Sequence, residues 1–110
     1  MKYVFIIFVS MLFTVGLKAK AATVDDAKVV YAGTYGSGRL FVALNKTILE
    51  PGCNLSRFDV PAGHDQIKTW LSVAMAATAS GKSVKVSTNG CLGPFPTMDN
   101  TDNTYFYIKQ

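Results

Sequence analysis

Only two cysteines occur in these 110 residues, and they bracket the one strongly helical stretch. Cys53 precedes that stretch, and Cys91 follows a short strand beyond it. An apolar leader stands ahead of both. This combination points to a small exported domain in which one disulfide ties helix and strand together, because exported chains fold where thiols oxidise. Linking residues 38 positions apart stabilises by about 4 kcal/mol in the chain-entropy account. That matters for a chain too short to bury a large core.

The leader reads as a secretory signal peptide spanning residues 1–21. Lys2 supplies the positive start, and Tyr3 to Leu17 is apolar apart from Ser10 and Thr14. Ala19 and Ala21 place small residues at the minus-three and minus-one positions of a cleavage site after Ala21, with cleavage after Ala22 as the alternative. A membrane anchor is the competing reading. The run falls short of the roughly 20 residues a span needs, and Lys18 and Lys20 follow it closely. The expected location is periplasmic or secreted, with no membrane span after cleavage and residues 22–110 as one domain. Removing Lys2, Lys18 and Lys20 from the 11 basic residues leaves eight against seven acidic ones. The formal +4 of the whole chain therefore belongs largely to the leader. No basic run survives to bind nucleic acid.

Past a polar start at Thr23 to Asp26, strand composition predicts strands over 28–35, 39–45, 57–60, 83–87 and 105–109. Gly36-Ser37-Gly38 predicts a hairpin between the first two, and Glu50-Pro51-Gly52 a further turn. Leu92 to Asn103, rich in Gly, Pro, Asn and Asp, reads as a loop. The helix is expected near 64–80, with Asp65 and Gln66 in its first turn, where acid suits the dipole, and Gly81 as its stop. Ile67, Trp70, Leu71, Ala74, Met75 and Thr78 follow the helical repeat and define an expected buried face. Val73, Ala76, Ala77 and Ser80 form a second face, and no charge occurs from Thr69 to Ser80. Either the helix is sunk into its own domain, or this second face packs against copies of itself. Strand, strand, strand, helix, strand, strand is the order of a mainly β (α+β) fold, a small five-stranded OB-fold-like barrel with the helix between strands 3 and 4. An open antiparallel sheet carrying the helix on one face is the alternative.

No catalytic set is legible, so a non-enzymatic role is expected, with no cofactor. Two isolated cysteines and one distant histidine do not make a metal spacing. His64 reads as a solvated or capping residue at the helix start. Asp59 and Asp65 flank one turn and read as solvated acids, with a carboxylate pair as the competing reading. The binding signal lies in the aromatics. Tyr31, Tyr35, Tyr105 and Tyr107 sit on predicted strands, and a tyrosine ring packs on sugar C–H surfaces while its hydroxyl makes a polar contact. Packing within the core or across strands is the competing role for these rings. Thr34, Ser37 and Asn89 are polar turn groups within reach of a ligand.

One stretch carries a family likeness. It runs Cys53-Asn-Leu-Ser-Arg-Phe-Asp-Val-Pro61, then His64-Asp-Gln-Ile-Lys68, then Ala74-Met-Ala-Ala-Thr-Ala-Ser-Gly-Lys-Ser-Val-Lys-Val86. It resembles small exported proteins related to the subtilase cytotoxin B subunit, most closely at the helix exit. The resemblance covers about a third of the chain. It implies an OB-fold, a homo-oligomeric ring of five subunits with helices lining the centre, and binding of cell-surface sialylated glycans on the outer face. A toxin A subunit is a partner it allows. The cysteine pair is arranged differently from the toxin's, and no ligand residue carries over. Two functions remain open: a glycan-binding module, with Tyr31, Thr34, Tyr35, Ser37, Tyr105 and Tyr107 as candidate contacts, or a monomer that binds or inhibits another protein through Phe95, held between Pro94 and Pro96.

Overall fold

A computed structural model describes residues 21–110. Residues 1–20 of the signal segment read over 1–21 lie outside the described residues. Among the described residues eight strands and one helix follow in the order β1 (Ala22–Ala27), β2 (Val29–Thr34), β3 (Leu40–Ile48), β4 (Leu55–Val60), α1 (Ile67–Ser80), β5 (Val84–Thr88), β6 (Cys91–Leu92), β7 (Phe95–Pro96) and β8 (Tyr105–Ile108). They form three antiparallel sheets, ordered β1-β5-β8, β2-β3-β4 and β6-β7.

Two expectations change. The strands do not close into a barrel, because the two three-stranded sheets remain separate ladders. The helix follows the fourth strand rather than the third, because the polar start at Thr23 to Asp26 is itself a strand. β1 pairs with β5, placing Val24 opposite Val86 and Ala27 opposite Val84, with an irregularity between them. Asp26 takes a left-handed φ of 54° there. Val24 and Ala27 are buried and Ala22 packs partly against the core, while Asp25 and Asp26 are both exposed, so the interrupted alternation hides the strand from a sequence reading.

Alternation does set the other strands. Leu40, Val42 and Leu44 of β3, Phe58 and Val60 of β4, and Val84 and Val86 of β5 are all buried in one core with Trp70, Met98 and Phe106. The chain passes from one sheet to the other at Lys28, which separates β1 from β2. Its N–H donates to Asn45 Oδ1 at 2.8 Å, and Asn45 N–H returns a bond to the Lys28 carbonyl at 3.0 Å. Lys28 Nζ also reaches the Gly81 carbonyl at the helix end.

The helix begins at Ile67, so Asp65 precedes its first turn and no acidic residue lies within that turn. Gly81 ends it as expected, with φ 71° and its N–H bonded to the Ala77 carbonyl at 2.9 Å. Its buried residues are Trp70, Ala74 and Ala77. Met75 is 62% exposed, and Thr78 faces solvent. The inward stripe is thus rotated from the expected face. In a helix that is small and uncharged on two sides, periodicity alone does not choose between them.

The expected disulfide is present. Cys53 and Cys91 stand 6.0 Å apart at Cα, fastening the turn ahead of β4 to the β6-β7 hairpin. Among the described residues no helix is long and apolar enough to cross a membrane.

Candidate functional site

The six tyrosine, threonine and serine positions singled out from sequence fall in two places. Tyr31, Thr34, Tyr35 and Ser37 belong to β2 and its hairpin; Tyr105 and Tyr107 belong to β8 in the other sheet.

The first place is the outer face of β2-β3-β4. Register sets Tyr31 beside Ala43 and Arg57, and Gly33 beside Phe41 and Asp59. The next row holds Tyr35, whose N–H bonds the Arg39 carbonyl at 2.9 Å. The Phe41 ring lies across Gly33, where an added Cβ would meet Phe41 Cζ at 3.0 Å. It also contacts the rings of Tyr35 and Tyr31, with centroids 5.1 and 6.1 Å away. Tyr31 and Tyr35 are about half exposed. Thr34 ends β2 facing solvent. Ser37 Oγ accepts the Arg39 backbone N–H at 3.5 Å within the turn.

The centre of this face is Asp59. It is fully buried, contrary to its reading as a solvated turn acid. Arg57 Nε donates to Asp59 Oδ1 at 2.7 Å, and Arg57 Nη2 to Oδ2 at 2.9 Å. Arg39 Nε and Nη2 reach Oδ2 at 2.9 and 2.8 Å. Arg57 Nη2 also donates to the Tyr35 hydroxyl at 2.7 Å. Hydrogen bonding to Asp59 is the main influence on the Arg57 guanidinium, holding it above its already high ordinary pKa; burial opposes this. Phe95 of β7 covers the pair, 4.2 Å from Arg57 and 5.5 Å from Arg39. It is therefore half-buried against arginine.

The second place is an open cleft of about 340 Å³ where the helix start meets β8. Its walls include His64, Trp70, Asp99, Asp102, Tyr105 and Tyr107. The Tyr105 and Tyr107 rings stand 5.7 Å apart at 31°, and His64 stacks on Trp70 with centroids at 4.9 Å. His64 caps the helix entrance, as one reading of the sequence expects: Nδ1 accepts the Gln66 N–H at 3.0 Å, and Nε2 lies 2.7 Å from the Asp99 carbonyl. Those two bonds fix the tautomer with its proton on Nε2. Asp99 organises the opposite wall. Its carboxylate accepts from the Thr101 hydroxyl at 2.7 Å, the Asn89 amide at 2.8 Å and the Thr101 N–H at 2.9 Å, and these donors hold its pKa down at about 2. Asn89 thus braces this loop.

The four helix positions expected at an oligomer interface form one stripe, and that stripe straddles the edge of the core. Ala77 is buried in the core of its own chain and Val73 packs partly against it, whereas Ala76 and Ser80 are exposed. The uncharged solvent side instead centres on Met75 and Ala79. Beside it, Val30 and Tyr31 line an apolar groove of about 440 Å³.

Sequence reading missed Arg39, Arg57 and Asp59. The signal available was the Arg57-x-Asp59 spacing, which puts both on the strand face opposite Phe58 and Val60. Compared with family models, curated proteins and solved structures, the chain matches none of them.

Proposed function

We propose that this protein is an exported, non-enzymatic glycan-binding module of the toxin B-subunit kind, with its sugar site in the cleft beside the helix start. The observation that carries this reading is the composition of that cleft. Tyr105 and Tyr107 offer ring surface for the C–H faces of a sugar, while Gln66, Asn100 and Asp102 bring polar groups to the same walls. Its 340 Å³ lies at the lower end of the range for small-molecule sites. Such an open site implies weak single-site affinity, which several copies raise through avidity.

Self-association has its own support. The helix exposes Met75 at 62% with no charge around it, and Val30 and Tyr31 across the groove are also more than half exposed. A second copy would cover these surfaces.

The test begins with light scattering on the oxidised protein, followed by a glycan array probed with the assembly so defined. Tyr107→Ala should remove array binding while leaving the assembly intact. An array blank for a verified oligomer would sink the sugar reading.

A further inference from the structure

The arginine pair on the outer sheet face has more donors and more charge than its own chain uses. Bidentate contact with Arg57 already neutralises the buried Asp59. Arg39 adds a second guanidinium to the same carboxylate. The cluster carries two positive charges against one negative, and one positive charge is left over beneath aromatic rings. In every hydrogen bond and ion pair that the two side chains make among the described residues the nitrogens are Nε and Nη2, and neither Nη1 takes part in one. Their side chains retain 30% and 18% exposure, so these edges are reachable. Two guanidiniums held together repel each other, and a second anion beside them relieves that repulsion.

The flanks are equally specific. Tyr35 lies 5.6 Å from Arg39 and 5.8 Å from Arg57, and Phe95 covers both as described. A ligand group entering here meets guanidinium edges between two ring surfaces, with Tyr31 and Phe41 extending the apolar floor. Planar guanidinium forks match planar carboxylates. Asp59 fixes both forks in advance, so binding does not have to order them.

We infer that Arg39 and Arg57 form a second binding site, separate from the cleft, for a carboxylate carried on a flat apolar group. The ligand's carboxylate takes the free Nη1 edges, and its flat body lies against Tyr35 and Phe95. The site stands on a different sheet from Tyr105 and Tyr107 and does not depend on the sugar reading.

Sodium benzoate is the probe. It is titrated into uniformly ¹⁵N-labelled oxidised protein, with benzyl alcohol and sodium chloride as controls. Saturable shifts of the Arg39 and Arg57 Nε–H signals are expected with benzoate alone, with a dissociation constant on the order of millimolar. Arg39→Gln keeps the Arg57–Asp59 pair and should weaken benzoate about tenfold or more. Arg39→Lys keeps the charge but loses the fork, and should fall between the two. Tyr107→Ala should leave benzoate binding unchanged. Absence of saturable shifts at about 50 mM benzoate, more than tenfold above that range, overturns the proposal. So do equal shifts with benzyl alcohol, or benzoate binding that survives Arg39→Gln.

Discussion

Arg57 and Asp59 stand two positions apart on one strand, with Nε and Oδ1 separated by 2.7 Å and the carboxylate wholly shut off from water. Removing the carboxylate leaves two guanidiniums facing each other, whereas removing Arg39 leaves a complete pair. Asp59→Ala should cost about 3 kcal/mol, and Arg39→Ala about 1 kcal/mol or less because that side chain is partly solvated. Urea unfolding midpoints of the two variants measure the difference. Equal losses would mean that Arg57 alone does not hold the carboxylate.

Gly33 is required by the Phe41 ring rather than by its own backbone. A methyl group there approaches Phe41 Cζ at 3.0 Å, and the ring must tilt away from Tyr35 and Tyr31. Gly33→Ala should cost about 1 kcal/mol, and Gly33→Val more, as overpacked sites do. Near-ultraviolet circular dichroism should change with each.

Asp99 gives the fold an acid-sensitive corner. Its native pKa of about 2 lies below the ordinary carboxylate value, held there by Thr101 and Asn89. A lowered native pKa adds stability that is complete above about pH 4 and fades as pH falls toward 2. Asp99→Asn should flatten this part of the stability profile. Equilibrium unfolding of both proteins between pH 6 and pH 2 tests it; parallel curves would remove Asp99 from the account.

The disulfide closes a segment of 38 positions. Replacing both cysteines with serine should lower stability by about 2–4 kcal/mol. The loss should be visible as a lower denaturation midpoint under non-reducing conditions, and hydrogen exchange should rise first in the β6-β7 hairpin.

Where one residue type decided the geometry, the sequence was readable. Leu40, Val42 and Leu44 announced β3 by alternation, Gly81 announced the helix end, and two cysteines left one pairing. Reading failed where the partner lay far away in sequence. The strand at Ala22–Ala27 depends on pairing with Val84 to Thr88, and its own alternation is broken at Asp25 and Asp26. The helix orientation depends on which of two small faces meets the core, and Ala74 with Ala77 won over Met75. The arginine cluster needs Arg39 brought alongside Asp59, 20 positions away, by strand register. The aromatics flagged on β2 and β8 lie on two different sheets rather than together.

The cysteine link also bears on how Phe95 is held near Arg57. Phe95 reaches Arg57 only because β7 runs back along β4, where Thr97 Oγ1 donates to the Asp59 carbonyl at 2.7 Å. Cys91 anchors the start of that excursion to the turn before β4. Apart from this covalent tie, the hairpin is held to its surroundings by hydrogen bonds, among them Asn89 N–H to the Thr97 carbonyl at 2.8 Å. Closing the cysteine link shortens the free chain between the strand that carries Arg57 and the hairpin that carries Phe95, so it limits how far the two can separate.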